Sequence, residues 1–255
     1  MDTEHPEGEP GVIRERVSLL KVPLDILELE HLPDIIRPLL DSGGGKNIVL
    51  LSLADLLRAR SNKEYRAYVL SASLVIPIAK SLVGGIRFVI GKQVSRYMPF
   101  HFVVKLLTSL EERELSLYLL GGKLQTLKKA EKNIRQTFPR LRIVGRYAGS
   151  FKKASEKNLL KAISKASPSL LLVGKGVAGG EHWIARHDTE LPPGLRLWCS
   201  DLYEIFAEQR KHPSQYSFDH GLEWIGFCLH KPFWVFKVFP YLYYKILLLM
   251  HRWVS

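Results

Sequence analysis

The 255-residue chain is 46% hydrophobic and 24% charged, which excludes a disordered polymer and allows one large α/β domain or two small ones. Its net charge of +12 is uneven: residues 1–41 hold ten acids against four bases, leaving +18 on the remainder. A basic surface on this scale suits polyanions, whether nucleic acid, anionic lipid headgroups or phosphorylated substrates, and charge alone does not choose among them.

The first 16 residues read as a flexible acidic tail, and the opening MDTEHPEGEP contains no apolar stretch of the secretory kind. Short apolar runs then alternate with helical patterns. The strand candidates are Asn47–Leu51, Leu74–Ile76, Phe88–Ile90, Ser116–Leu120, Arg142–Val144, Leu170–Val173 and Arg196–Cys199. Most are continuously apolar, as strands buried on both faces of a parallel sheet are. Helical stretches lie between them, such as Asp55–Leu70, Leu124–Phe138 and Ser155–Ala166. This order predicts a Rossmann-like three-layer parallel sheet over 17–206, with right-handed crossovers and neither internal repeat nor linker. From residue 207 the chain is expected to form a helical C-terminal appendage. Its segment PFWVFKVFPYLYYKILLLMHRWVS carries aromatics, aliphatics, Lys237, Lys245 and Arg252 and no acid, and Pro240 should kink or divide its helix. Such a segment either packs as a terminal helix or lies in a membrane interface, and its aromatic and cationic load favours the interface. No window reaches the roughly 18 uninterrupted apolar residues of a spanning helix. With only Cys199 and Cys228, the chain also fits a reducing compartment. We therefore expect a cytoplasmic protein, peripheral on the inner face of the membrane.

Three strand ends run into glycine turns: YLLGGKL at Gly121–Gly122, RIVGRYAGSF at Gly145, Gly149 and Phe151, and LLLVGKGVAGGEHWI at Gly174–Gly180. On one parallel sheet they would converge at the carboxyl edge, where α/β folds place ligands and helix starts suit phosphate oxygens. Gly174, Gly176 and Gly179 spell G-x-G-x-x-G, with Asp201 as a potential ribose acid. The motif sits two-thirds along the chain, however, and not in a first βαβ unit, which argues against a dinucleotide site. Glu181 at the expected helix start has a simple reading as a charge favourable to the helix dipole. The run Lys123–Lys153 holds ten bases and Glu131 as its one acid, but lacks the interleaved aromatics of a nucleic-acid groove. Neither His182 and His187 nor any serine or cysteine forms a metal or nucleophile motif.

The ordered set of turns resembles the WecG/TagA/CpsF family of bacterial glycosyltransferases (glycosyltransferase family 26). The matching residues are the LGG of Gly121–Gly122, Phe138-Pro139 with Gly145, Gly149 and Phe151, then Gly174, Gly176, Glu181 and Trp183, and finally Pro213 and Gly221-Leu222-Glu223-Trp224. The likeness runs from Val17 to Arg252. It implies transfer of an N-acetylmannosamine-type sugar from a UDP donor to a lipid-diphosphate-linked acceptor, without metal or resident cofactor, on a Rossmann-like core with a membrane-meeting appendage. The implied substrate contacts are Ser52, Arg87, Gly91, Gly121, Gly122, Gly145, Gly149, Phe151, Gly176 and Glu181. Arg210, His212 and Arg252 are the appendage candidates for leaving-group stabilisation, with His212 also a candidate replacement base.

The chain departs from the family pattern where chemistry is concentrated. The family's proline, lysine and glutamine before Glu181 are here Ala178-Gly179-Gly180, and its asparagine after the first strand is replaced by Ser52. The family's catalytic aspartate falls on Ile78, and no Asp or Glu occurs between Glu64 and Glu111. A base within hydrogen-bond reach of an attacking hydroxyl contributes about 10²–10⁴-fold, and isoleucine supplies none. The leading expectation is therefore a transferase with an altered active site. The alternative is an inactive relative that binds a nucleotide-sugar, a lipid-linked sugar or a partner enzyme.

Overall fold

The computed structural model describes residues 14–211, 218 and 238–254. A two-stranded antiparallel hairpin, β1 (Arg14–Leu19) and β2 (Val22–Leu27), opens the chain. After α1 (Leu32–Asp41) come β3 (Gly45–Leu51), α2 (Leu53–Ser61), α3 (Lys63–Ser71), β4 (Leu74–Pro77), α4 (Lys80–Ile90) and α5 (Pro99–Glu112). The second half runs β5 (Ser116–Leu120), α6 (Leu124–Thr137), β6 (Arg142–Tyr147), α7 (Lys153–Ala166), β7 (Leu170–Val173), α8 (Glu181–Arg186), β8 (Gly194–Trp198) and α9 (Leu202–Phe206). The C-terminal helix, here α10, spans Val238–Val254.

Six strands form one wholly parallel sheet in the order β4-β3-β8-β7-β5-β6, the expected α/β Rossmann-like architecture. The continuous apolar runs are explained by two cores, one on each face. Leu117 and Leu119 of β5, with Leu170 and Leu172 of β7, meet α1, α5, α6 and α9. Tyr118, Leu120, Leu171 and Val173 face the other way, toward α2, α4, α7, α8 and α10. A strand clad on both faces has no polar register, so it reads as uninterrupted hydrophobicity.

Several local expectations change. Phe88–Ile90 is the last turn of α4 and not a strand. Its aromatic and β-branched residues suggest extension, but Leu82, Gly85, Ile86 and Val89 recur at helical spacing against one core, and burial overrides local propensity. The stretch Asp55–Leu70 is two helices, because Asn62 leaves the helical conformation and caps the second through Tyr65 N–H (2.8 Å). Within the described residues, α10 continues unbroken from Pro240 to Val254. Residues Arg14–Arg16, assigned to the tail, belong to β1, while 1–13 lie outside the described residues.

The hairpin is fixed to edge strand β4 by side chains. Fully buried Asp25 accepts from Arg14 Nε (3.0 Å), from Arg16 Nε and Nη2 (2.9 and 2.8 Å), and from the Val75 backbone N–H (2.6 Å). The same arginines donate onward to the Ala72 and Ser73 carbonyls. The edge strand's exposed backbone groups are thereby covered.

Candidate functional site

At the carboxyl edge, the chain leaves β5 toward one face and β7 toward the other, which opens the crevice that adjacent strands with opposed helices create. The glycine turns meet there. Gly174 N–H donates to Leu120 O (2.7 Å), Gly122 N–H to Lys175 O (2.5 Å), and Gly149 N–H to Gly122 O (3.0 Å). A Cβ on Gly121 would fall 2.7 Å from Gly174 O, and one on Gly149 would fall 2.7 Å from the Gly176 carbonyl carbon. These positions require glycine because the turns pack on each other. Gly145 has a different reason: the ring of Tyr118 on β5 occupies the space its side chain would need, at 2.4 Å. Phe151 lies edge-on to Tyr147, with 5.9 Å between ring centroids.

Ser52, ending β3, caps α2: it accepts from Asp55 N–H (3.3 Å), while Asp55 Oδ2 accepts from Ser52 N–H (3.0 Å) and Ser52 Oγ (2.5 Å). This capping box puts the Asp55 carboxylate on the first turn of α2, at the edge. Ile78 begins just beside it, since its N–H donates to Leu51 O (3.0 Å). The edge beside Leu51 is therefore apolar at Ile78, and a carboxylate, Asp55, stands on the helix that follows the neighbouring strand.

Glu181 opens α8, with its side chain only 11% exposed. Arg58 of α2 pairs with it at 3.4 Å, contacts His182 and lies over the Tyr65 ring, 4.7 Å from its centroid. His182 meets the same ring edge-on at 5.2 Å. The Tyr65 hydroxyl lies against the Glu181 carboxylate at a geometry that makes no hydrogen bond. Burial, and then the charge of Asp55, push the Glu181 carboxyl up to about 7, against the pull of Arg58. Burial likewise holds the His182 imidazole below its ordinary value, with Arg58 adding to the effect. A buried carboxyl whose surroundings lift its proton affinity toward neutral pH is what acid–base chemistry there requires. Beside them, the indole N–H of Trp198 at the end of β8 is buried without a partner among the described residues, next to Gly180.

The other sequence candidates are spread out. Arg210 pairs with Asp201 (2.7 Å) at the end of β8, so it stands at the same edge. Arg87 and Gly91 lie toward the far end of α4, about 10 and about 16 Å of helix rise from Lys80, with Gly91 as a left-handed C-cap (φ 77°). Arg252 stacks on Phe88 (4.6 Å), near that far end too. His212, Pro213, the Gly221-Leu222-Glu223-Trp224 motif and Cys228 lie outside the described residues. Arg96 escaped the sequence reading because no motif contains it. It donates to Ile78 O (3.0 Å) and Phe218 O (2.6 Å) and packs on the Phe218 ring, so it joins the edge. Asp55 was equally invisible, because its place at the edge depends on where α2 begins.

Other chemistries find less support. Burial pushes the Cys199 thiol up to about 12, which makes it inert at neutral pH. Glu131, the one acid of the basic run, binds Arg135 and Arg146 and neutralises part of that face. Among the described residues, no three His, Cys, Asp or Glu residues are grouped to hold a metal ion. None of the helices among the described residues is long and apolar enough to cross a membrane.

No curated protein matches the chain. The family model described as "Glycosyl transferase WecG/TagA/CpsF family" matches residues 17–254, nearly the whole length, in agreement with the order of turns and with the sheet they terminate. The chain belongs to the WecG/TagA/CpsF family of glycosyltransferases.

Proposed function

We propose that this protein transfers an N-acetylhexosamine, of the N-acetylmannosamine type, from a UDP donor to a lipid-diphosphate-linked acceptor at the inner face of the cytoplasmic membrane. The UDP-sugar enters as substrate, and the reaction uses no resident cofactor. The observation that carries this reading is a buried carboxylate, Glu181, standing beside Asp55 at the sheet edge where the glycine turns converge.

In this mechanism the acceptor hydroxyl attacks the anomeric carbon as the bond to UDP breaks. Glu181 takes the hydroxyl proton, with burial and the charge of Asp55 keeping its proton affinity high and Arg58 pairing with it to hold its position. Arg210 is suited to stabilise the negative charge that grows on the departing diphosphate. The acceptor's lipid calls for membrane contact. One side of α10 exposes Phe239, Leu242, Tyr243, Ile246, Met250 and Trp253 and the helix contains no acid, whereas Tyr244 and Leu248 bury the opposite side. A helix of that kind lies in the headgroup region.

A second reading, a binding protein without turnover, is favoured by Ile78 at the aspartate position and by Ala178-Gly179-Gly180. Incubation with radiolabelled UDP-N-acetylhexosamines and a lipid-diphosphate-linked N-acetylglucosamine separates the two. Labelled lipid product supports transfer. Saturable UDP-sugar binding with no product, under conditions where the acceptor is bound, establishes the second reading instead.

A further inference from the structure

Away from the carboxyl edge, the β1–β2 turn, α2 and α3 enclose a cavity of about 210 Å³ lined by Leu20, Lys21, Val22, Ala59, Arg60 and Arg66. Half of its lining residues are cations. Among the described residues, no carboxylate forms an ion pair with any of the three. Arg60 is held in place by the turn itself, because its Nη1 donates to Leu20 O at 2.9 Å. The other three lining residues, Leu20, Val22 and Ala59, are apolar and offer an anion no competing carboxylate.

The turn that carries Lys21 is unusual. Leu19 pairs with Val22, so the hairpin closes through two residues, and both Leu20 and Lys21 have positive φ (52° and 65°). Asn and Gly adopt this turn far more readily than Leu and Lys do. Leu20 is accounted for by burial in the core, whereas Lys21 is exposed and gains nothing from packing. The C-terminal helix does not line the cavity but packs on α2, which does. The space beside Gly85 is shared by Tyr244 of α10 and by Leu19, the residue preceding the turn, and α10 packs on both α4 and α2.

We propose that the Lys21–Arg60–Arg66 cavity binds a phosphate group, and that the headgroup of an anionic phospholipid supplies it. Guanidinium forks match phosphate oxygens two at a time, and an ammonium adds a point charge. The lipid source rests on the membrane reading of α10, while the phosphate site itself does not.

The test uses the full chain, vesicles of phosphatidylcholine alone or in equal parts with phosphatidylglycerol, and inorganic phosphate. Lys21→Asn suits the left-handed turn, and Arg66→Gln removes a charge with no contact of its own described. The double variant should therefore keep its melting temperature or raise it. Its affinity for phosphatidylglycerol vesicles should fall about fivefold per cation removed. Inorganic phosphate at constant ionic strength should displace the wild type from those vesicles and leave the residual binding of the variant unchanged. Saturable phosphate binding lost in the variant, without any dependence on phosphatidylglycerol, supports the site and assigns it a soluble phosphate. Wild type and variant indistinguishable toward both vesicles and phosphate would overturn the proposal. A charged substitution on the exposed side of α10 that leaves flotation unchanged, while the cavity variant still loses phosphate binding, defeats the membrane reading alone.

Discussion

Glu181 joins three circumstances that rarely coincide by chance: burial, a second carboxylate nearby, and a position where a glycine turn becomes a helix. Glu181→Gln keeps the volume and removes the proton acceptor. Transfer should drop about 10²–10³-fold while UDP-sugar affinity changes little, as measured by product formation and equilibrium binding. A variant that transfers at the wild-type rate sends the search for a base elsewhere, with Asp55 next. The wild-type rate should also climb with pH through about 7, as Glu181 loses its proton. Only part of this was legible in the sequence. Glu181 could be singled out because it follows a glycine turn, but the residues that tune it come from α2 and α3, more than a hundred positions earlier. No local pattern announces that Arg58, Tyr65 and Asp55 will surround it, since each reads as an ordinary helix residue until β3 and β7 take their places in the sheet.

Among the elements, those buried on both faces were readable and those placed by side-chain partnerships were not. The boundaries of β5 and β7 follow directly from their apolar runs. The hairpin was missed because its turn is Leu20-Lys21 and carries no Asn-Gly signal, and because its attachment depends on Asp25 meeting two arginines. Asp25→Asn should destabilise the protein by about 3 kcal/mol, because it leaves the facing arginines without their charge partner. Denaturant unfolding measures this, and a loss below about 0.5 kcal/mol, typical of an exposed pair, would show the network to be ornamental. The apolar side of α10 gives a separate expectation. Replacing Leu242 and Ile246 by Glu should leave the melting temperature near that of wild type, as both side chains are about half exposed, but should abolish flotation with anionic vesicles. Unchanged flotation would assign that side of the helix to a protein partner.

For the molecule as a whole, two neighbouring groups pull stability in opposite directions with pH. The Glu181 carboxyl binds its proton more tightly in the folded chain than in the unfolded one, so its contribution is complete at acid pH and falls as pH rises to about 7. The loss amounts to as much as about 3 kcal/mol. The His182 imidazole is held below its ordinary value, so its contribution is present at neutral pH and is lost on acidification. Wild type should therefore lose stability between the ordinary carboxylate range and pH 7, and Glu181→Gln should abolish most of that slope in melting temperatures recorded across the range. An identical slope in both proteins would mean that Glu181 titrates as an ordinary surface carboxylate. With its carboxyl raised to about 7, the site is least stable in the protonation state that transfer needs, a cost that active sites commonly carry.

The interlocked turns also bear on how this chain diverged. Gly121, Gly122, Gly149 and Gly174 are joined by backbone hydrogen bonds or by contacts too close for a side chain, so a change at any one displaces the others. Ala178-Gly179-Gly180 lies just beyond that interlock, and so does Ile78, whose N–H reaches Leu51 O of β3 and none of the glycine turns. Substitutions at 178–180 or at Ile78 should therefore leave the frame of turns intact, whereas a side chain at Gly121 or Gly149 would push its segments apart.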